Sequence, residues 1–304
     1  MYLSPAEFVA DPAAMARVWS ESDSLAYTHW LATHHYENFH VVSFLLPKHL
    51  HRDFYNVYSF CRWADDLGDE IGDTAESLRL LAWWRGETER MYRGEASHPV
   101  FVALSQTVRK HDLPAEPFLD LIHAFEHDQV VTRYANWDEV HGYCRYSANP
   151  VGRLVLYLCG YRDAERQRLS DATCTALQLA NFWQDVTVDL GKDRIYMPLD
   201  ILRKHGSSEA DVMALRFTPQ FRAAMQEMVD HARALFHEGL PLARMVDRRL
   251  SLDLELFSRG GLEILDKIER QHCDVLARRP HIGKLERVRL LATALVRWAA
   301  YRAA

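Results

Sequence analysis

The sequence predicts an all-α chain, on three observations. Glycine and proline supply only 13 and 11 of 304 residues, about 8% together where average usage is about 12%. Runs of Val, Ile and Thr are few. Apolar residues recur at helical spacing along nearly the whole chain, broken by short punctuation. Apolar residues at 48% and charged residues at 26% are ordinary for a chain that buries a core, which excludes disorder for most of its length. The length allows one large domain or two. With no linker, internal repeat or low-complexity tract, one compact domain over residues 1–304 is the expectation.

The elements follow in order. Pro47 opens a long segment through Glu70. Asp73-Thr74 begins another, to about Arg93. His98-Pro99 starts a third, and Leu113-Pro114 separates it from 115–129. A helix over 137–149 is interrupted at Asn149-Pro150, because the residue before proline is steered out of the helical region. An apolar segment then runs to Gly160. Ser170–Asp189 is strongly apolar and stops at Leu190-Gly191. Segments 198–205, 208–215, 218–238, 249–258, 261–277 and 284–303 complete the chain. Their short connections suit antiparallel bundle neighbours.

Charge is unevenly spread. The formal net charge is −6, yet residues 243–304 hold 13 Lys/Arg against 8 Asp/Glu. The acidic remainder argues against nucleic acid as a partner. The basic tail is either the solvated face of helices or a peripheral contact with an anionic lipid surface. Five cysteines without a C-x-x-C pair read as reduced thiols of a cytoplasmic protein. No signal peptide is expected, and no run of about 18 apolar residues predicts a membrane span.

Two segments carry chemistry. In FYNVYSFCRWADDLGDE, residues 54–70, an apolar and aromatic run ends in Asp65, Asp66, Asp69 and Glu70. Asp65 and Asp69 project from one helical face, which Tyr58 and Arg62 extend. In LQLANFWQDVTVD, residues 177–189, Gln178, Asn181, Asp185 and Asp189 form one polar stripe opposite an apolar face. Like charges one turn apart repel, and beside a core the penalty grows unless a cation compensates. Hard oxygen donors without a His or Cys cluster point to Mg²⁺, which shares its coordination with waters and substrate phosphates. Two such stripes on facing helices would hold a diphosphate and stabilise its departure, with an apolar pocket sheltering the cation left behind.

Across about residues 25–285 the chain resembles the squalene/phytoene synthase family of head-to-head prenyl synthases. YNVYSFCRWADDLGDE is similar to that family's first aspartate motif and LQLANFWQDVTVDLGKDRIYMP to its second. The resemblance implies an isoprenoid synthase helical bundle around a central cavity, Mg²⁺ dependence and a farnesyl-derived substrate. Within the family, HHYENF at 34–39, YCRYSANPVGRLVL at 143–156 and NFWQDVTVD at 181–189 most resemble the branch that adds water to presqualene diphosphate, forming hydroxysqualene. It makes Asp65, Asp69, Asn181, Asp185 and Asp189 Mg²⁺ ligands, and Tyr58, Arg62 and Gln178 substrate contacts. His35 and Asn38 fall where relatives contact diphosphate, and Arg194 and Tyr196 follow the second motif as basic and phenolic partners. Phe39, Tyr58, Phe182 and Trp183 are candidates to line the cavity, with core packing the alternative for the last two.

Departures from the family bear on the reaction. Relatives that condense two prenyl diphosphates carry serines where this chain has Tyr36 and Asn38, arginine where it has Gln184, and a late tyrosine where it has Gly261. A missing cation at Gln184 suits one diphosphate rather than two. The alternative is condensation of two farnesyl diphosphates to presqualene diphosphate, squalene or dehydrosqualene. No G-x-G-x-x-G follows a strand, which disfavours a reductive step with NADPH. Two readings of other classes stand beside these. His123, Glu126 and His127 spell H-x-x-E-H, a zinc hydrolase motif. A non-catalytic assembly factor would have lost its acidic motifs, and here both are intact.

Overall fold

The computed structural model describes residues 2–34 and 47–300, with side chains as far as residue 294. Helices account for the secondary structure of these residues, the one extended pairing among them being a bridge between Arg133 and Ile195. The all-α expectation holds. By its contacts the chain divides into two compact units, Met1–Val130 with Pro150–Arg162 and Val131–Asn149 with Asp163–Ala304.

The first unit begins with α1 (Pro5–Ala10), α2 (Pro12–Ala16) and α3 (Glu21–His34). It continues with α4 (His51–Asp69), α5 (Thr74–Tyr92), α6 (Pro99–His111) and α7 (Glu116–Asp128). The chain then supplies α8 (Trp137–Ser147) to the second unit and returns for α9 (Asn149–Leu158), whose body from Pro150 onward completes the first. The core of this unit is aromatic. Trp63 and Trp84 stack with centroids 4.9 Å apart, and Phe60 meets Phe118 edge-on at 4.9 Å. Leu154 and Leu158 of α9 are buried in the same core.

A buried polar ladder fixes α4 between α3 and α6. Thr28 Oγ1 donates to Asn56 Oδ1 at 2.7 Å, Asn56 Nδ2 donates to Thr107 Oγ1 at 3.0 Å, and Thr107 Oγ1 donates to Asp53 at 3.0 Å. Asp53 also accepts from Lys110 at 2.6 Å and His111 at 3.0 Å. Burial alone would raise the pKa of this carboxyl, but those hydrogen bonds and the Lys110 charge bring it below its ordinary value. Every donor and acceptor named here is satisfied, so the hydrogen bonds offset the desolvation of the buried groups while the ladder sets the register of α4, and with it the height of Asp65 and Asp69.

The second unit contains α8, α10 (Ala164–Gln184), α11 (Val186–Leu190), α12 (Leu199–Lys204), α13 (Glu209–Met213), α14 (Pro219–Gly239), α15 (Arg248–Arg270) and α16 (Lys284–Ala300). Helix α15 departs from the sequence expectation, which left a gap at 259–260 and ran the second segment over 261–277. It is one helix of 23 residues. Gly261 does not break it because the position serves close packing: a Cβ there would lie 2.1 Å from Cζ of Phe236, itself fully buried on α14. The helix stops at Arg270, and His272 and Cys273 follow with positive φ of 59° and 64°. Gly239 plays the same part at the end of α14, where a Cβ would lie 2.1 Å from Thr173 Oγ1 on α10.

Gly261→Ala sets two effects against each other. Helix propensity favours alanine by about 1 kcal/mol, while overpacking a filled core costs about 1–3 kcal/mol. With the fully buried Phe236 ring in the way, the clash should win. A net loss of about 1–2 kcal/mol is expected in urea unfolding, and unchanged stability would show that the ring moves aside freely.

Candidate functional site

The first acidic stripe lies on the last turns of α4. Arg62, half-buried, reaches along its own helix to Asp66 one turn on, with Nη2 2.5 Å from Oδ1, and to Asp65, with Nη1 3.4 Å from Oδ2. Asp65 is partly exposed, Asp69 is exposed and Asp66 is buried. The four residues thus divide the work by depth. Asp66 anchors the guanidinium from below, while Asp65 and Asp69 present oxygens outward. Burial pushes the Asp66 carboxyl up to about 6, against the pull of Arg62, with the neighbouring Asp65 and Glu70 charges adding to the rise. Tyr58 stands one turn before Arg62; burial raises its phenol, partly opposed by the Arg62 charge. Sequence reasoning placed Tyr58, Arg62, Asp65 and Asp69 on one face, which α4 supplies. It missed Asp66 as the positioning group for Arg62, although the four-residue spacing was its signal.

The second stripe does not run along one unbroken helix. α10 ends at Gln184, Asp185 takes φ −106° and ψ 15°, and α11 resumes at Val186. The amide of Asp189 still donates to the Asp185 carbonyl at 2.9 Å, so the two carboxylates remain a turn apart. Asn181 is exposed, and Gln178, Asp185 and Asp189 are intermediate in burial. The apolar half of the stripe is packing: Trp183 is fully buried, and Phe182 stacks on Tyr196 with centroids 3.9 Å apart and planes 5° apart. Tyr134 and Tyr143 join that stack at 5.5 Å from Tyr196. Tyr196 therefore enters the site region by its ring, as part of an aromatic wall. Arg194 is held close to the stripe through its backbone, its amide donating to the Asp189 carbonyl at 3.0 Å.

The segment after α15 grips the second stripe. Arg279 forms a two-pronged pair with Asp185, Nε to Oδ1 and Nη2 to Oδ2, the latter at 3.0 Å. Next to it, Gln184 Nε2 donates to the Pro280 carbonyl at 2.7 Å. Arg279 is the clearest residue that sequence reasoning missed in this role; lying 94 positions from Asp185, it offered no local pattern. Its presence also bears on which ligand the carboxylate takes. A cation already sits against Asp185, and the donors along the stripe are carboxylates and a carboxamide, hard oxygens that suit Mg²⁺. Among the described residues no three His, Cys, Asp or Glu side chains gather into a self-contained metal site. Pairs of carboxylates fit a cation that keeps waters and shares phosphate oxygens.

His35, Asn38 and Phe39, expected as diphosphate or cavity contacts, lie outside the described residues. The zinc hydrolase reading is not supported by the geometry. Glu126, its proposed base, is engaged by Arg85 through bonds of 2.7 and 3.3 Å, and the His123 and His127 rings stand 6.4 Å apart. A carboxylate clamped by a guanidinium is a poor general base.

A family model described as squalene/phytoene synthase matches residues 32–286. The chain is 36% identical to the phytoene synthase of Thermus thermophilus over 86% of its own length and 89% of that protein. It is equally 36% identical to the hydroxysqualene synthase of Rhodopseudomonas palustris, over 84% and 86%. Among solved structures, the squalene synthase HpnC of Alicyclobacillus acidocaldarius superposes with a TM-score of 0.80 and 46% identity, covering 83% of this chain and 95% of that one.

Proposed function

The chain belongs to the squalene/phytoene synthase family, and from that premise we propose that it converts presqualene diphosphate and water to hydroxysqualene and diphosphate, with Mg²⁺ as cofactor. The observation that carries the choice within the family is Gln184. Its amide is committed to the Pro280 carbonyl, so the position before Asp185 brings no positive charge. One diphosphate needs fewer cations than two. The likeness to hydroxysqualene synthases agrees with this reading. The equal identity to a phytoene synthase keeps condensation of two prenyl diphosphates as the second reading.

In this proposal Asp65, Asp69, Asn181, Asp185 and Asp189 hold the metal, whose charge when bound supplies stabilisation of the departing diphosphate. Arg62, aimed by Asp66, adds its guanidinium to the same oxygens, and Tyr58, Gln178 and Arg194 orient the substrate. Ionisation breaks the carbon–oxygen bond to diphosphate and leaves a cyclopropylcarbinyl cation. Ring opening gives an allylic cation, and a water oxygen bonds to it as its proton passes to the released diphosphate. Apolar and aromatic walls keep other nucleophiles away. Incubation with Mg²⁺ and either presqualene or farnesyl diphosphate tests the reading. Hydroxysqualene from the first alone, without NADPH, is expected, and turnover of farnesyl diphosphate would install the condensing alternative.

The Asp185–Arg279 pair adds a second expectation. If Asp185 binds the metal, the guanidinium must yield, so Arg279 and Mg²⁺ compete. Both side chains are partly exposed, and such pairs are worth about 0.2–1 kcal/mol. Arg279→Gln should therefore lower the half-saturating Mg²⁺ concentration about 1.4–5-fold, whatever it does to the maximal rate. An unchanged Mg²⁺ titration would remove the competition.

A further inference from the structure

We propose that the outward face of α16, together with the basic cavity beside it, docks the protein on an anionic phospholipid surface. The face is built of apolar side chains that the fold leaves in water: Leu285 is 87% exposed, Val288 65% and Leu291 41%. At 100° per residue, these and the exposed Ala292 fall within about 120° of arc. The opposite side of the same helix is committed to the protein, with Ala294 fully buried and Glu286 paired with Lys267 at 2.6 Å.

Charge selects the occupant. Arg287 lies beside one edge of the apolar arc, with Lys284 just inside that edge, and Arg289 lies beside the other; all three are exposed, and Arg289 also pairs with Glu263 at 2.8 Å. The single acid in the described turns of α16, Glu286, faces away. An apolar strip rimmed by cations on long, flexible stems is what a helix needs to lie in a headgroup layer, apolar residues down and cations among the phosphates. A protein partner would be expected to bring acids to meet the cations, and nothing among the described residues of this chain does so at Lys284 or Arg287. The preceding loop supplies a headgroup-sized space: a cavity of about 400 Å³ lined by Lys267, Arg270, Arg278 and His281 among others, where Lys267 and Arg270 already pair with Glu286 and Glu263 and Arg278 is the cation left to meet a phosphate. Asp274 is its one acidic wall residue, and that carboxylate already accepts from the Ala277 amide at 3.0 Å. No helix among the described residues is long and apolar enough to cross a membrane, so contact would be in the plane of the surface.

Vesicle flotation of the full chain tests this without recourse to the reaction. Binding to phosphatidylcholine vesicles containing phosphatidylglycerol is expected, weakening with salt, and little binding to phosphatidylcholine alone. The Leu285→Asp/Val288→Asp double variant should lower the partition coefficient about tenfold or more. The Arg278→Glu/Arg287→Glu variant should lower it mainly at low salt. Unchanged circular dichroism and melting would show that both variants fold. Absence of wild-type flotation with anionic vesicles would overturn the proposal, as would equal flotation of the Leu285→Asp/Val288→Asp variant. A dimer that this variant splits, in a protein that ignores vesicles, would assign the face to a second copy instead.

Discussion

Asp185→Ala is expected to abolish turnover, by about 10³-fold or more, the effect of removing charge stabilisation worth several kcal/mol from a departing anion. Asp65→Ala should do the same from the other stripe. Neither should harm folding, because both carboxylates are at least partly exposed and neither belongs to the buried ladder. The check is product formation across a wide Mg²⁺ range, with a melting curve for each variant. Residual activity that rises with Mg²⁺ would indicate a weakened site. Activity near wild type in either variant would sink the assignment of both stripes to metal binding.

The second large effect concerns stability. Asp253 on α15 is 2% exposed, and neither carboxylate oxygen has a hydrogen-bond partner among the described residues. Burial, reinforced by the charge of Asp247, pushes its pKa up to about 8. In the unfolded chain an aspartate titrates near 4. Between those values the native state keeps a proton that the unfolded state has released. The Asp253 contribution to stability therefore falls as pH rises from about 4 to about 8, by about 1.4 kcal/mol per pH unit where the two states differ by a full proton. Asp66 shares the sign but is spent near pH 6. Buried His98, held neutral in the fold, acts with the opposite sign until the unfolded imidazole has lost its proton, around 6.5, so the interval from about 7 to 8 belongs to Asp253. Asp253→Asn should flatten the melting temperature across that interval and raise it most at pH 8. Parallel wild-type and variant curves would mean that the carboxyl finds a partner.

Local patterns were the legible part of this fold. Helix spacing located α4 and its Asp65/Asp69 face, because a nineteen-residue amphipathic helix advertises itself in sequence. The end of α10 was less legible: the polar stripe runs on through Asp189 while the backbone breaks at Asp185. Gly260-Gly261 misled for a related reason. Their neighbourhood alone does not say that one helix runs through them; the space left by the missing side chain of Gly261 is filled by Phe236, a residue 25 positions away. Arg279 on Asp185 and Arg85 on Glu126 were illegible altogether, since ion pairs between distant segments leave no periodic trace. The second of these disposes of a motif that five contiguous letters had suggested.

The exchange of segments between the two units has a consequence for synthesis. A ribosome delivers the chain from its N-terminus, and domains commonly fold as they emerge. The first unit is continuous through Val130, yet Leu154 and Leu158, buried in its core, are made only after α8, which belongs to the other unit. A nascent chain stalled at residue 130 would therefore expose the apolar trough that α9 fills, and closing it requires about 30 more residues beyond the exit tunnel. The protein has a built-in interval during its own production when the aromatic core of its first unit stands open, and a chaperone that recognises apolar clefts would find its substrate then.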